Sequence, residues 1–302
     1  MGSSLKEIGE TRAIGETGKI KERKMGALAA GFGGMTWLII PIVLIGAVVG
    51  FIYWGSASSG NVLSTGLSEP LDGAKTARVV VNSDTGHLTI DALATGEQAL
   101  ASGTLQYFEK QGTPTHTLSS IDGQANLTLS GGGTGLSGFR PPWAACGGAY
   151  EWQIHLNPAV SSDITAYSGG GNLKLDLAGM AVTRLSAETG GGNVDVVLPD
   201  DAANLGVLAK TGGGNVTVDV GDDTTGSNTV SANSGAGNVV VRVPSGIAAR
   251  IHVTSGLGKT IVDPAFSQTD KNTYQSPDYD GAANRVEITA SSGAGNVSVE
   301  VK

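Results

Sequence analysis

The sequence has only one cysteine and few charged or aromatic residues. The single cysteine, Cys146, excludes an intrachain disulfide, so burial and backbone hydrogen bonds must hold the fold together. The chain has no nucleophile elbow, P-loop or zinc signature. Its four histidines lack the spacing of metal ligands and stand at His87, His116, His155 and His252. We therefore predict no catalytic, cofactor-binding or metal-binding residues, and a protein that is not an enzyme.

Charge is distributed unevenly along the chain. Residues 1–24 hold six basic and four acidic residues, whereas the rest holds 13 basic and 23 acidic residues. Nucleic-acid binding needs a basic footprint, so the acidic main part of the chain argues against a nucleic-acid partner.

A long uncharged segment runs from Thr36 to Trp54. Its 19 residues would span roughly 28 Å as a helix, close to the thickness of the bilayer core. Trp37 and Trp54 stand near its ends, where aromatic rings favour the membrane interface. We predict a transmembrane helix over residues 25–55, with residues 36–54 in the lipid bilayer. A cleaved signal peptide and a buried core helix are the alternatives, but the apolar region of a signal peptide is usually shorter.

The flanks of this segment predict its orientation. Four basic residues lie between positions 19 and 24, and Glu69 is the first charge on the other side. The excess of basic residues on the cytoplasmic side predicts a single-pass protein of the cell membrane with a cytoplasmic N-terminus and an extracytoplasmic remainder. The predicted organisation is a disordered cytoplasmic tail over 1–24, the helix over 25–55, a linker over 56–74 and a repetitive β domain over 75–302.

One motif recurs along the predicted β domain. Its clearest copies contain GGGN or GAGN, with the asparagine at Asn172, Asn193, Asn215, Asn238 and Asn296. Aliphatic residues stand one, three and five positions after each asparagine, and an aliphatic residue, Ala and Ser or Thr stand eight, six and four positions before it. This alternation predicts half-buried strands on both sides of a glycine-rich turn. Stacked units would bury their apolar faces in one core.

Three weaker copies fit the same frame and bring the number of predicted units to eight. They are centred on His87, Asn126 and Lys259. The predicted fold class is all-β, a glycine-punctuated β-solenoid or a stack of hairpins; the sequence leaves these two alternatives open. We attribute the glycines to positive backbone φ angles in tight turns and to the close approach of stacked units.

Other features of the repeat have plainer interpretations. The glycine-rich turns suggest calcium-binding β-rolls, but aspartate occurs at no fixed offset in the units, as Asp176, Asp195 and Asp219 show. Two segments, 131–158 and 263–285, interrupt the array, and we interpret their aromatic residues as caps on the stack. The alternative for these residues is a patch that binds a partner.

The repeat resembles the toast-rack domain family of bacterial envelope proteins, over roughly residues 75–302. The segments that carry the resemblance are WQIHLNPAVSSDI, SGGGNLKLDLAGMAVTRLSAETGGGNVDVVLP, GIAARIHVTSGLGK and YQSPDYDGAANRVEI. The family is related to cell-wall-active antibiotic response proteins and phage-shock membrane proteins. The resemblance implies a membrane-tethered, noncatalytic β module that is adhesin-like or linked to envelope stress.

Two functional hypotheses follow, and a third, a hydrolase or carbohydrate-active β-solenoid, would need paired carboxylates in a groove, which the differing offsets of Asp176, Asp195 and Asp219 disfavour. The first is a noncatalytic, membrane-anchored envelope protein whose β domain senses or scaffolds through contacts with a protein partner. The second is an adhesin or self-assembling surface protein that forms homo-oligomers through exposed strand edges. The second hypothesis expects the open edge at the final strand, Val297–Val301, because no capping element follows it.

Overall fold

The computed structural model of the protein describes residues 61–94, 96–132 and 150–302. Within these ranges the fold is all-β, as the repeat predicts, and the one helical element is a short 3₁₀ turn at Glu109–Gln111. No helix in these ranges has the length and apolar character needed to cross a membrane. The predicted tail and the predicted transmembrane helix over 25–55 lie outside the described residues.

The described residues contain twenty-one strands, which form two large mixed sheets. Sheet A has ten strands, in the spatial order β1 (Val62–Pro70), β4 (Ala99–Phe108), β7 (Glu151–Leu156), β3 (His87–Ala92), β9 (Leu173–Asp176), β11 (Val194–Val197), β13 (Val216–Asp219), β15 (Val239–Val243), β21 (Val297–Val301) and β17 (Thr260–Val262). Sheet B has eleven strands, in the order β18 (Ser267–Asp270), β19 (Thr273–Gln275), β16 (Ala248–Ser255), β20 (Arg285–Ala294), β14 (Ser227–Ala236), β12 (Gly206–Thr211), β10 (Val182–Thr189), β8 (Ser161–Ser168), β2 (Thr76–Asn82), β6 (Gln124–Ser130) and β5 (Thr115–Ile121).

The repeat forms a two-sided β-solenoid and not a stack of hairpins. The two strands of each unit lie in different sheets, and each strand pairs in parallel with the equivalent strand of the next unit. One coil therefore consists of a sheet B strand, a glycine corner and a sheet A strand. The seven coils stack in the order β2/β3, β8/β9, β10/β11, β12/β13, β14/β15, β20/β21 and β16/β17.

The aliphatic residues of successive coils meet in register. Val194 stands opposite Val216, and Val216 opposite Val239, and all three side chains are buried. The inward residues of both sheets belong to one hydrophobic core. Burying one such side chain contributes roughly 1.5–3 kcal/mol, and a one-residue slip would expose the whole row, so this row fixes the register.

The glycine corners owe their composition to close approach. A Cβ atom at Gly192 would overlap the carbonyl group of Gly171 in the preceding coil, and Gly214 stands in the same relation to Gly192. The positive φ angles that we also expected are absent from the GGGN corners that the structure describes, and occur in the GAGN corners at Gly237 and Gly295. The tight stacking of coils, more than turn geometry, therefore requires glycine here.

The order of the coils departs from the order of the chain. The coil of residues 285–301 is inserted between the β14/β15 coil and the β16/β17 coil. Strand β21 consequently has a neighbour on each side, β15 and β17. The expectation that Val297–Val301 forms an open edge is therefore wrong, and the edge of sheet A at this end is β17.

The unit predicted around Asn126 is also wrong. Strands β5 and β6 form an antiparallel hairpin within sheet B, and Asn126 lies inside β6 opposite Ser119. Leu127 pairs with Val79 of β2, so it corresponds to the strand before a corner and not to the strand after one. The predicted alternation of apolar residues is present, but alternation does not distinguish parallel from antiparallel pairing.

The β domain begins earlier than predicted. Strand β1 covers Val62–Pro70, inside the range 56–74 that we predicted to be a linker, and pairs antiparallel with β4 along its whole length. Leu67 of β1 packs into the core, which explains why this segment is ordered against the sheet. The linker prediction is therefore wrong for residues 62–70.

The aromatic residues of the two interruptions pack against the core. Trp152 is fully buried, and its indole N–H donates to the carbonyl of Gln106 at 2.8 Å. Phe266 and Tyr279 are buried at the β17 end of the stack, as capping predicts. Trp143 lies outside the described residues.

Candidate functional site

A buried spine of hydroxyl groups connects the corners. The Ser or Thr four positions before each corner asparagine donates to a glycine carbonyl of the neighbouring coil. Thr189 Oγ1 donates to Gly171 O and Thr211 Oγ1 to Gly192 O, both at 2.7 Å. These bonds satisfy carbonyl groups that the close stacking removes from water. The spine is a stabilising feature that the sequence showed only as a recurring Ser or Thr.

A second ladder runs along the outside of the corners. The side-chain oxygen of each corner asparagine accepts a hydrogen bond from the backbone N–H of the equivalent residue in the next coil. Five such bonds of 2.8–3.0 Å connect Asn172 to Asn193, Asn193 to Asn215, Asn215 to Asn238, Asn238 to Asn296 and Asn296 to Lys259. Each of these oxygens therefore has a backbone partner in the next coil, and the row of bonds joins neighbouring coils.

The asparagine ladder has a defined end at each side of the stack. At one end His87 takes the place of asparagine, and its Nδ1 accepts from the N–H of Asn172 at 2.9 Å, which requires the tautomer with a free Nδ1 lone pair. At the other end the last position is Lys259, which has no side-chain oxygen. A further coil of the same kind would find no acceptor there, so the ladder stops at β17.

The residues considered for chemistry remain apart. Each of the four histidines has a different neighbour: His87 meets Asn172, His116 contacts Glu69, His155 contacts Asp91 and His252 contacts Thr273. Among the described residues, no three His, Cys, Asp or Glu side chains are grouped to hold a metal ion. We find no catalytic constellation in these parts of the chain.

The aspartates of the outer face of sheet A also fail to form one row. Asp195 stands opposite Lys174 and Thr217, whereas Asp219 stands opposite Val197 and Arg242. The Arg242 guanidinium donates to Asp219 at 3.0 Å. The differing offsets seen in the sequence thus correspond to different rows of the sheet.

Two buried polar groups close the β1 end of the stack. Glu69 of β1 contacts the imidazole of His116 on β5, although the contact lacks hydrogen-bond geometry. The Tyr150 hydroxyl donates to Ser83 O at 2.6 Å, and burial raises the pKa of Tyr150 above its ordinary value. Both contacts join the two sheets.

A polar pocket of about 250 Å³ lies on sheet B near the other end. The Arg250 guanidinium stands 4.4 Å from the centre of the Tyr279 ring and donates to Asp280 at 2.9 Å. Arg285 approaches the same ring at 5.7 Å. Because these groups satisfy one another, the cluster fastens the loop of residues 276–284 onto sheet B, and we assign it a structural role.

The ends of the sheets carry most of the exposed apolar side chains. Among the described residues, the large exposed hydrophobic residues on edge strands or the turns beside them are Val62 and Leu63 on β1, Ile121 on β5, Leu257 at the last corner and Ile261 on β17. Of the large hydrophobic residues exposed in the described ranges, Tyr167 alone lies on an internal strand. Apolar side chains on a strand edge are typical of a surface that contacts another protein.

Comparison with protein families agrees with this architecture. A model of the N-terminal domain of toast_rack, DUF2154, matches residues 58–219, more than half of the chain. The chain belongs to the toast-rack family. The matched residues run from the start of β1 through β13, and the resemblance predicted from the repeat is confirmed.

One solved structure has a similar fold. The chain is similar to a candidate cell adhesion protein from Clostridium sporogenes ATCC 15579, with a TM-score of 0.58 and 21% identity over 80% of this chain and 100% of the other. A candidate adhesin, BF0245 from Bacteroides fragilis NCTC 9343, matches with a TM-score of 0.31 and 12% identity over 80% of this chain and 97% of the other. No curated protein matches the toast-rack chain.

Proposed function

We propose that this toast-rack protein is a noncatalytic, single-pass envelope protein that acts outside the cytoplasm through contacts with other proteins. It serves as a sensor or scaffold, including under envelope stress. Membership of the toast-rack family supports the envelope assignment. The observation that carries the proposal is the uncharged segment Thr36–Trp54 placed directly before a domain built of stacked coils.

The connection between the proposed anchor and the β domain is short. Only residues 55–61 separate Trp54 from the first residue of β1. Seven extended residues reach at most roughly 25 Å. Under this proposal β1 is the strand nearest to the anchor along the chain, and β17 lies nine strand spacings further along sheet A, roughly 43 Å away.

The noncatalytic part of the proposal is supported by how the polar residues are used. The described hydroxyl and amide groups of the corners bond to backbone atoms of neighbouring coils. Arg250, Tyr279 and Asp280, which line the pocket on sheet B, contact one another. The open strand edges and the exposed apolar side chains at the ends of the stack suit protein contacts.

An adhesin is the second candidate function. The similarity in fold to the candidate cell adhesion protein of Clostridium sporogenes favours it. The exposed apolar residues at the end of the stack far from β1, Leu257 and Ile261, support it further. In this role the toast-rack domain would bind a surface molecule of another cell.

Thiol labelling tests the anchor and its orientation in the full chain. The background is Cys146→Ser, so that an introduced cysteine is the only thiol. We expect a membrane-impermeant maleimide to label Asp195→Cys, which is exposed on sheet A, in intact spheroplasts. It should label Ser3→Cys only after lysis. The reverse pattern, or labelling of neither before lysis, would refute the proposed orientation.

Extraction at alkaline pH tests whether the anchor is retained. The unchanged chain should stay in the membrane pellet, with residues 1–54 present in its intact mass. A Leu44→Arg, Val48→Arg variant should be released, because charges at the centre of a membrane helix oppose insertion. Recovery of the unchanged chain in the soluble fraction would refute anchoring.

A further inference from the structure

We propose that two copies of this chain join through β17, pairing antiparallel about a twofold axis and extending sheet A across the contact. The inference names a partner for the proposed function and rests on that function for its biological role. Its structural basis is independent and lies in residues 257–263.

Strand β17 is an open edge. It pairs with β21 on one side, and no strand in the described parts of the chain pairs with its other side. Sheet B ends differently at the same end of the stack. There the hairpin β18–β19 folds antiparallel against β16, and the four residues of the outermost strand, Ser267–Asp270, are all exposed. Both edge strands are short, but only polar side chains are exposed on β18, whereas β17 exposes the apolar Ile261.

The open edge is also apolar on its surface. Ile261, at the centre of β17, is 54% exposed, and Leu257 at the preceding corner is 84% exposed. Ile261 belongs to the outer face, since the neighbouring Val262 packs against the core. A second strand beside β17 would remove part of both side chains from water, which favours association.

The hydrogen-bonding groups of β17 point in a pattern that suits such a pair. The N–H groups of Lys259 and Asp263 bond to residues 296 and 299 of the inner coil, at 3.0 and 2.9 Å. Because bonding directions alternate along a strand, the N–H and C=O groups of Thr260 and Val262 face outward. A twofold axis at Ile261 sets Thr260 opposite Val262 of the second copy, so these two residues exchange backbone hydrogen bonds.

The sequence Lys-Thr-Ile-Val-Asp is self-complementary in this arrangement. The same twofold axis sets Ile261 opposite Ile261 and Lys259 opposite Asp263 of the second copy. Alternation places Lys259, Ile261 and Asp263 on one face of the strand. Two symmetry-related pairs of opposite charge therefore flank an apolar centre, and such cross-strand pairs stabilise a sheet. Charge complementarity thus selects a second copy as the occupant.

The dimer has a consequence for the geometry of the proposed function. Two copies joined at β17 form a continuous sheet A of 20 strands, with a β1 strand at each extreme, roughly 90 Å apart. Each β1 follows a proposed anchor. The contact therefore suits two chains that approach from opposite surfaces.

Disulfide cross-linking tests the contact in the full chain as expressed, in a Cys146→Ser background. Residues directly opposite in a non-hydrogen-bonded antiparallel pair lie close enough for a disulfide. Ile261→Cys should give a covalent dimer on mild oxidation. The matched control is Asp195→Cys, exposed on an internal strand of the same sheet, which should stay monomeric. Equal cross-linking of both, no dimer at Ile261, or capture of a different protein there would refute the proposal.

Charge reversal provides a second test, because unfolded variants would not regain dimerisation when they are mixed. Lys259→Glu sets two acidic residues opposite each other in a homodimer, and Asp263→Lys sets two basic residues opposite each other. We expect each variant alone to raise the dimer dissociation constant about tenfold. An equimolar mixture should restore dimerisation, because all the facing charges are then opposite. Sedimentation measures this, and a mixture no stronger than either variant would overturn the proposal.

These outcomes separate the two proposals. A chain that is anchored and oriented as proposed, but gives no cross-link at Ile261, would refute the dimer alone. A chain that cross-links at Ile261 but is extracted from the membrane at alkaline pH would refute the anchor alone.

Discussion

Replacing Gly192 by alanine introduces a methyl group into a corner that has no room for it. The added Cβ would overlap the backbone carbonyl of Gly171 in the preceding coil, and backbone atoms cannot move aside as a side-chain tip does. Its neighbour Gly191 supplies a matched control. A Cβ there meets no atom within 4 Å, and its φ angle is outside the left-handed region.

The cost of Gly192→Ala follows from two contributions. Overpacking in a rigid interior costs about 1–3 kcal/mol. Separating the two coils also lengthens the bond from Thr189 Oγ1 to Gly171 O, which is worth about 1 kcal/mol. We expect a loss of about 3 kcal/mol in the free energy of unfolding. Gly191→Ala should be neutral or stabilise by about 0.4–1 kcal/mol, because alanine restricts the unfolded chain.

Thermal unfolding followed by circular dichroism distinguishes the two variants. For a domain of this size about 1 kcal/mol shifts Tm by about 2–4 °C, so Gly192→Ala should lower Tm by about 6–12 °C. Gly191→Ala should leave it unchanged or raise it slightly. If both substitutions lower Tm equally, glycine is needed for backbone conformation and the close-approach explanation is incorrect.

Two further predictions use the same measurement. Thr189→Val removes a hydroxyl that donates to Gly171 O at 2.7 Å and accepts from Gly192 N at 3.3 Å. It should lower the free energy of unfolding by about 2–3 kcal/mol. The control Thr217→Val, on the outer face of β13, should be near neutral. Burial raises the pKa of Tyr150 in the folded state, so this residue stabilises the fold fully below its unfolded pKa of about 10, and that stability is lost as the pH rises further. Tyr150→Phe loses the hydrogen bond to Ser83 O and should be less stable at neutral pH, but its stability should not decline in this way at alkaline pH. An unchanged alkaline decline would contradict the role of Tyr150.

The apolar core of the solenoid was predictable because its signal is local and repeated. Aliphatic residues at every second position, with corners 21 to 23 residues apart, place Val194, Val216 and Val239 in one row. The hairpin around Asn126 was not predictable in the same way. Parallel and antiparallel strands share the same alternation, and the partner of a strand depends on distant residues.

The repeat alone does not predict that the coils stack in an order different from that of the chain, although the sequence contains a signal for it. All coils offer similar apolar faces, so hydrophobic burial does not decide which one is last. The asparagine ladder does decide it. The side-chain oxygen of Asn296 accepts a hydrogen bond from the N–H of Lys259, whereas the side chain of Lys259 has no acceptor for the N–H of a further coil. A unit with lysine at the corner position therefore suits the end of the stack.

The inserted position of the 285–301 coil affects how the protein is made on the ribosome. Residues 248–262 emerge first, but the coil they must rest on is synthesised after them. During that interval the apolar faces of β15 and β17 are exposed to solvent, or the two strands pack against each other prematurely. A chain shortened before residue 285 would lose an interior layer and not merely its last one, so premature termination should yield aggregation-prone products.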